Sequence, residues 1–427
     1  MQTHPPPRAV IIQILKSGSF RYLWFGQIFS QLAVNMMLFT LALIIYQTTG
    51  SNAAVSGLFL SYGVPAVLFG LLAGVVVDRF DKRMVLIVCD ASRAMLVLLL
   101  FFVLHNPFFV YGIVFIYAMI TQFYVPAMAP TIPRLVKPDQ IVSANSLFSF
   151  TYYSSLALGF ILAGPMLRFA GPSITFGTIF LSFVAGVLCI LRLSPQPGTH
   201  TLTMVLQKDI FRILRQMFSD LGAGIHYGTS SPVLFDAILL LTGTQVVLVV
   251  LGSLGPGFAD RVLEIDVRDA SLYITAPVVL GIIGGALWVG NRGYRFSSAL
   301  LINTGVLSVG AILMTISVVV RLSRLMTNGG IFTNIFMLPL VFTLFILLGI
   351  ANSLLDVRAN STLQKEAKGS MRGRVYGMLT AAVGGIGMLP VVVGGLLADL
   401  IGVGKVIFAL GAIITAYGLI RIRYNKA

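Results

Sequence analysis

The sequence is poor in charged residues. Only 10% of its 427 residues are Asp, Glu, Lys or Arg, whereas a soluble domain carries about 25%. Hydrophobic residues make up 57% of the chain. A folded protein of this composition could not cover its surface with polar groups. The composition therefore excludes a water-soluble protein and favours lipid as the solvent.

Residues that perform covalent chemistry are also scarce. The four histidines lie outside the long apolar runs and form no ligand pair by spacing, and Cys89 and Cys189 lie in separate runs as expected of packing residues. There is no glycine-rich phosphate loop, and no N-terminal apolar stretch with a cleavage site that would predict a signal peptide. The sequence predicts no metal site, no cofactor and no enzyme activity. Any transport must then draw on an ion gradient or on the solute's own gradient.

What the chain does contain is twelve long apolar runs. A membrane-spanning helix needs about 20 mainly apolar residues, and turn or charge signals separate the runs. The runs are 22–47, 53–77, 84–104, 108–131, 144–170, 172–193, 232–257, 270–290, 297–320, 332–355, 376–400 and 404–421. This pattern predicts an all-α membrane protein of twelve transmembrane helices.

Lysine and arginine are distributed unequally between alternate loops. The N-terminal segment and every second loop after it carry 22 of the 29, the opposite loops carry 6, and Arg93 lies inside the third run. Positive residues accumulate in cytoplasmic loops. The pattern therefore predicts cytoplasmic termini and a location in the plasma membrane, the inner membrane of a bacterium. These clusters explain the net charge of +15 without nucleic acid binding.

The longest interruption, 194–231, divides the runs into two sets of six. It predicts an N-terminal six-helix bundle over 1–193, a cytoplasmic linker, and a C-terminal six-helix bundle over 232–427. In the linker, apolar residues recur at helical spacing with basic residues between them, which indicates an amphipathic helix on the membrane surface. A plain solvated linker is the alternative. Duplicated halves with a solute site between them are a common transporter plan.

A charged motif, GVVVDRFDKR, follows the second run at 74–83. Gly74 is expected to let two helices approach closely. Asp78 is expected to accept hydrogen bonds from free amide groups of a neighbouring helix. Arg79, Lys82 and Arg83 are expected to anchor the loop at the anionic cytoplasmic face. A cluster that only sets the topology is the alternative.

This motif resembles the signature loop of the major facilitator superfamily, G-x-x-x-D-R-x-G-R-K, with Asp81 in place of the usual glycine. Four further segments are similar to the macrolide-efflux and siderophore-exporter branch, namely 19–51, 124–147, 372–377 and 394–399. The resemblance covers the whole chain. It implies two pseudo-symmetric six-helix bundles that rock about a central cavity, in a protein that works as a monomer.

Two features of proton-driven drug antiporters in that superfamily are missing or incomplete. Their fourth span usually carries an arginine, and 108–131 has none. Their glycine-rich motif in the fifth span is reduced here to Gly159 and Gly164-Pro165. The resemblance therefore leaves the energy source open.

Polar residues inside the runs predict a solute cavity, because polar groups are costly in lipid. Three amides share a helical face in the first run, two tyrosines and a threonine share one in the fourth, and the fifth and seventh add a tyrosine and a glutamine. The predicted cavity residues are Gln27, Gln31, Asn35, Tyr117, Thr121, Tyr124, Tyr152 and Gln245. Hydrogen bonding between helices would use the same residue types and is the alternative.

Acidic residues number fourteen, and most lie in loops. Asp236, a few residues into the seventh run, is the predicted candidate for coupling to an ion such as the proton, with a cap or ion pair at the interface as the alternative. Asp90 and Arg93 are three apart in the third run and close enough to pair. We expect this pair to brace its bundle and to serve the same conformational role as the charged motif. Asp356 and Arg358 are expected to do so in the second half.

Together these features predict a secondary active transporter of a small amphipathic solute, foremost an exporter of a drug or a siderophore-like metabolite. Nutrient uptake and movement of a lipid or lysolipid are alternatives on the same fold. A membrane-embedded enzyme would need convergent acids, histidines or a metal set, which the sequence lacks. The expected partners are the solute, the lipid bilayer and a coupling ion.

Overall fold

The computed structural model describes residues 13–15, 18–195, 231–326, 331–366 and 378–424, with isolated positions at 222, 226, 228, 229 and 375. Nearly all of the linker at 194–231, including its predicted amphipathic helix, lies outside the described residues. The same holds for the 372–377 segment.

Twelve long helices make up most of the described chain, in which no β-strand occurs. They are α1 (Gly18–Thr49), α2 (Asn52–Arg79), α3 (Lys82–Val103), α4 (Pro107–Met128), α5 (Ile141–Pro165), α6 (Gly171–Ile190), α7 (Pro232–Arg261), α8 (Ala276–Arg292), α9 (Ser298–Met326), α10 (Ile331–Glu366), α11 (Met388–Ile401) and α12 (Val403–Tyr424). Helices suit this sequence because a backbone in lipid must satisfy its own N–H and C=O groups. The predicted all-α architecture of twelve helices is confirmed.

Eleven helical segments of the described chain are long and apolar enough to cross a membrane. One of them, Ser143–Ile190, has 48 residues and contains both α5 and α6. A single crossing needs only about 20 residues. A π-helical turn at Met166–Ala170 separates α5 from α6, followed by Gly171, whose φ of 77° lies in the left-handed region that favours glycine. This break allows one apolar segment to supply two helices.

The loop between α2 and α3 is held by capping interactions. The Asp81 side chain accepts hydrogen bonds from the backbone amides of Arg83 and Met84, at 2.8 and 3.3 Å. It is therefore the N-cap of α3, where a carboxylate satisfies amides that have no partner within the helix. The Arg83 guanidinium donates to the carbonyl of Leu191, just beyond the end of α6. The aspartate that replaces the motif's glycine thus begins a helix, and Arg83 fixes the loop to α6.

The helical part of the motif differs from expectation at Gly74. A Cβ placed there would have no described atom within 4 Å, so close approach is not what the glycine provides among the described residues. The tight helix contact expected at Gly74 is not seen among the described residues and stays a prediction. The side chain of Asp78 lies outside the described residues, and its acceptance of amide hydrogen bonds stays a prediction.

The chain divides into two compact units. The first combines Met1–Leu41 with Ser61–Met217, and the second combines Ala42–Leu60 with Phe218–Ala427. The boundaries at 41/42 and 60/61 fall inside α1 and α2. Each of these helices therefore contributes one part to the first unit and its other part to the second.

Apolar side chains from α1, α3, α4 and α5 form a core in the first unit. Phe20, Leu86, Tyr124 and Phe148 are all buried in it. The rings of Phe20 and Phe148 meet edge to face, with centroids 5.6 Å apart. Close packing of this kind holds helices together in lipid, where no hydrophobic effect drives them to associate.

Glycines allow a close helix contact in the second unit, between α8 and α10. A Cβ at Gly281 would lie 2.0 Å from the carbonyl oxygen of Ile346, and one at Gly349 would lie 2.0 Å from the carbonyl oxygen of Val278. Gly285, one turn after Gly281, faces Ser353 in the same way. Small residues at this spacing let two backbones touch directly.

The N-terminus of α2 is capped by a side chain from α11. The Asp399 carboxylate accepts hydrogen bonds from the Ser51 hydroxyl at 2.6 Å and from the backbone amides of Asn52 and Ala53 at 2.9 and 3.0 Å. The side-chain amide of Asn52 donates a further bond of 2.9 Å. Negative charge at a helix N-terminus is stabilised by the free amides and by the helix dipole. Gly395, one turn earlier, leaves the room that brings α11 against Asn52 and Ser56.

We expect Gly281→Ala to lower the unfolding temperature of the purified protein. The added methyl group meets a backbone oxygen and forces α8 from α10, a type of overpacking that costs about 1–3 kcal/mol. Gly284→Ala, on the same helix, is the matched control because a Cβ there has open space. An equal effect of both substitutions would contradict the assigned contact.

We expect Asp399→Ala to destabilise the protein by about 1–2 kcal/mol, the cost of losing a helix cap. A double-mutant cycle with Asn52→Ala, measured by thermal unfolding, isolates the contact between the two residues. The two single effects should not add, because each substitution already removes the same hydrogen bond. Strict additivity would contradict the hydrogen bond between the side chains of Asn52 and Asp399.

Candidate functional site

A buried ion pair lies on α3, inside the first unit. Asp90 and Arg93 are 0% and 1% exposed, and Arg93 Nη1 lies 2.9 Å from Asp90 Oδ1. Their spacing of three residues places them on one helical face. Ser30 of α1 donates its hydroxyl to the same carboxylate oxygen at 2.8 Å and accepts from Arg93 Nη1 at 3.1 Å. The predicted pairing of Asp90 with Arg93 is confirmed.

Two tyrosines of α4 surround the arginine. The guanidinium carbon of Arg93 lies 4.7 Å from the ring centroid of Tyr124 and 6.0 Å from that of Tyr117. Both tyrosines are almost fully buried. A ring face attracts a cation most strongly where water is excluded. Arg93 therefore has stabilising contacts besides its carboxylate partner.

Burying such a pair costs free energy, and removing one of its partners costs more. Its two charges must leave water, and their mutual attraction offsets this cost only with good geometry. Loss of one partner leaves a buried unpaired charge, at a cost of about 3–5 kcal/mol. An ion pair in this position is for that reason a candidate functional group by default.

The predicted cavity residues fall into two groups. Gln27, Asn35, Tyr117 and Tyr124 are buried. The Asn35 amide donates to a carbonyl of its own helix, that of Gln31, at 2.8 Å. Their burial favours packing within the unit over direct contact with a solute.

The remaining predicted residues are accessible. Gln31 and Thr121 are partly buried, Gln245 is exposed, and Tyr152 is 46% exposed. They present amide, hydroxyl and ring surfaces without a formal charge. Their role in solute binding stays a prediction.

Asp236, the predicted coupling candidate, is held in a second ion pair. Both of its carboxylate oxygens accept from Arg421 of α12, at 3.2 and 2.5 Å. Arg421 also donates to Asn303 of α9 at 2.9 Å. The side chain of Asp236 is 36% exposed and that of Arg421 is 10% exposed. This geometry matches the interfacial ion pair that was the alternative from the sequence.

Asp356 and Arg358 of α10 each have a different partner. Gln245 of α7 hydrogen bonds to Asp356, and the Arg358 guanidinium donates to the carbonyl of Gly293. They therefore tie α10 to α7 and to the end of α8. Their bracing role is supported, although no Asp356–Arg358 pair is found.

A cavity of about 100 Å³ lies inside the second unit, and the sequence did not predict it. Residues of α7, α9, α10 and α12 line it, among them Gly243, Thr244, Asn352 and Tyr417. It is far smaller than the roughly 300–1,000 Å³ typical of sites for drug-sized ligands. Its polar residues stand singly in apolar segments, which is why periodicity did not connect them. Among the described residues, no group of three or more metal-ligating side chains converges.

The chain matches a family model and several known proteins. Residues 12–332 match the family described as transmembrane secretion effector. An uncharacterised MFS-type transporter of Bacillus subtilis, YfiS, is 25% identical over 405 residues, which are 91% of this chain and 89% of the relative. Macrolide efflux protein A of Streptococcus pyogenes is 30% identical over 153 residues, which are 34% of this chain and 37% of the relative.

Solved transporter structures share the fold. The nucleoside transporter NupG superposes with a TM-score of 0.69 at 14% identity, over 96% of this chain and 99% of its own. A POT family transporter in complex with a thioalcohol-conjugated peptide has a TM-score of 0.72 at 13% identity, over 95% and 96%. At such identities the likeness concerns the fold alone. The family match covers most of the chain, agrees with the resemblance of the 74–83 motif, and indicates a transporter rather than an enzyme. The chain therefore belongs to the transmembrane secretion effector family of major facilitator superfamily transporters.

Proposed function

We propose that this protein exports a small amphipathic solute across the plasma membrane by secondary active transport. The observation that carries the proposal is the similarity to macrolide efflux protein A, a protein whose name states both a direction and a class of solute. A macrolide combines a large apolar surface with hydroxyl and amine groups. The proposal extends this class of solute, rather than one compound, to the present chain.

The accessible polar residues support a solute of this kind. Gln31, Thr121, Tyr152 and Gln245 offer neutral hydrogen-bonding groups and aromatic surface. Binding sites for small molecules combine mainly apolar walls with a few polar groups that set orientation. Neutral groups accept an amphipathic solute without demanding a charge of one sign.

Alternating access would explain why the boundaries between the two units fall inside α1 and α2. α1 and α2 each continue from one unit into the other. Any movement of one unit relative to the other must then bend these helices or release the segment 42–60. The hydrogen-bonded cap that Asp399 forms with Ser51 and Asn52 lies within the second unit, so a movement that releases the segment 42–60 would have to break it. The predicted topology places this cap on the outer side of the membrane.

We expect inside-out vesicles that contain the protein to accumulate a macrolide or the hydrophobic cation tetraphenylphosphonium when a proton gradient is imposed. A protonophore should abolish the accumulation. Tyr152→Ala should reduce it several-fold, because a ring and a hydroxyl accessible to the solute are lost. Phe150→Ala is the matched control, since Phe150 is exposed on the opposite face of α5.

The outcomes separate the parts of this proposal. Failure to move any hydrophobic cation or macrolide under a gradient would overturn export of an amphipathic solute. Accumulation in right-side-out vesicles instead would reverse the direction. An equal effect of Tyr152→Ala and Phe150→Ala would remove Tyr152 from the solute site.

A further inference from the structure

The Asp90–Arg93 cluster contains polar atoms for which the described protein offers no partner. These are Gln27 Oε1, Asp90 Oδ2, Arg93 Nε and the hydroxyl of Tyr117, all of them buried. The hydroxyl of Tyr124 faces Ser30 without completing a hydrogen bond of normal geometry. A buried polar group without a partner costs about 1–3 kcal/mol. Several such groups in one cluster indicate a ligand rather than a packing accident.

The two oxygens of Asp90 have different surroundings. Oδ1 accepts from both Ser30 and Arg93 and is fully engaged. Oδ2 has no donor and points toward α6, where a Cβ placed at Gly186 would lie only 3.2 Å from it. Glycine at 186 therefore keeps open the space beside the free oxygen. The neighbouring backbone of α1 also lacks a side chain, at Gly26, where the Ile190 side chain packs against it.

The unpartnered atoms are of mixed type, which limits the chemistry of the ligand. Asp90 Oδ2 and Gln27 Oε1 accept hydrogen bonds, whereas Arg93 Nε donates and a tyrosine hydroxyl does either. An inorganic anion would meet the carboxylate, and a metal cation would meet the guanidinium. A proton on Asp90 Oδ2, with water as its donor and acceptor, satisfies both kinds of atom.

We propose that Asp90 is the proton-binding site that couples this transporter to a proton gradient, which deepens the proposed function and depends on it. The proton adds to Oδ2 and converts the carboxylate into a carboxylic acid, and it leaves again from the same oxygen. Arg93 keeps its own proton in both states. Its charge then remains beside Ser30 and the rings of Tyr117 and Tyr124.

Protonation changes the charge of the cluster from zero to one positive charge. In a buried region of low dielectric constant this change is large enough to favour one conformation over another. The groups that act on the pair come from its own helix and from its neighbours. They are Cys89 on α3, Tyr117 and Tyr124 on α4, and Tyr62 on α2, while α1 supplies the neutral Gln27 and Ser30 and α6 supplies Gly186.

The sequence singled out a different acid, Asp236, for this role. Both oxygens of Asp236 are held by Arg421, and the side chain is partly exposed. Asp90 is fully buried and has one oxygen free. A proton can therefore bind Asp90 at Oδ2 without displacing the hydrogen bond from Arg93 to Oδ1, whereas at Asp236 it would compete with the arginine for an oxygen.

The test is infrared difference spectroscopy of the protein in lipid nanodiscs, titrated from mildly alkaline to mildly acidic pH. We expect a carbonyl band of a protonated carboxylic acid that disappears in Asp90→Asn. Ser30→Ala should shift this band to higher wavenumber, because the carboxyl group loses a hydrogen bond at Oδ1. Asp236→Asn is the matched control, because it makes the same substitution in another acid that is paired with an arginine. It should leave the band in place.

Each outcome decides the proposal. A band that Asp236→Asn removes and Asp90→Asn retains overturns it, as does the absence of any titrating band. If Asp90→Asn fails to fold, the shift in Ser30→Ala still identifies the carboxyl group, and no shift overturns the assignment. The spectra need no solute and therefore test the proton site independently of transport. If the proton site is found but the protein moves no macrolide or tetraphenylphosphonium, only the proposed export is overturned. Accumulation of these probes by Asp90→Asn at the unmodified rate, with its proton dependence intact, would sink the coupling role alone.

Discussion

A charged group in an apolar medium needs an opposite charge, a hydrogen-bond partner or an aromatic ring beside it. The interior of this protein is organised around that requirement. Arg93 is matched by Asp90, by Ser30 and by two aromatic rings. Arg421 is matched by Asp236 and Asn303, and Asp399 by the free amides of a helix. Backbone groups follow the same rule, which is why the described chain is helical and the N-termini of α2, α3, α4 and α7 are capped by side chains. The matching is incomplete at the free oxygen of Asp90 in the first unit, which is where we propose that a proton binds.

Helix contacts supply the second constraint. Lipid is as apolar as a leucine side chain, so helices associate through contact distance and hydrogen bonds rather than through the hydrophobic effect. Gly281, Gly285 and Gly349 remove side chains where backbones meet, and Gly186 removes one beside a carboxylate. Glycine thus allows close helix packing in the second unit and leaves space beside a buried carboxylate in the first.

The string G-x-x-x-D occurs at both Gly74–Asp78 and Gly395–Asp399. The role expected of the first string, close approach followed by a carboxylate on helix amides, is observed at the second. At the first loop, Asp81 caps α3 and Arg83 binds the carbonyl of Leu191, while the role of Asp78 stays a prediction. The spacing of glycine and aspartate therefore identifies a type of helix contact and cap that the chain uses. Only the residues around each string show where that contact forms.

The sequence by itself determined the twelve helices, because the length of an apolar run and the turn signals between runs are local properties. It also placed Asp90 and Arg93 within pairing distance, because residues three apart on a helix must share a face. It could not show that Ser30, Tyr117 and Tyr124 would gather around that pair, or that Arg421 would reach Asp236 across 185 residues. Those contacts depend on how helices rotate and cross, which is set by packing between distant segments. Tertiary structure alone decided which polar residues are buried as partners and which stay accessible to a solute, since burial belongs to the neighbourhood of a residue and not to its type.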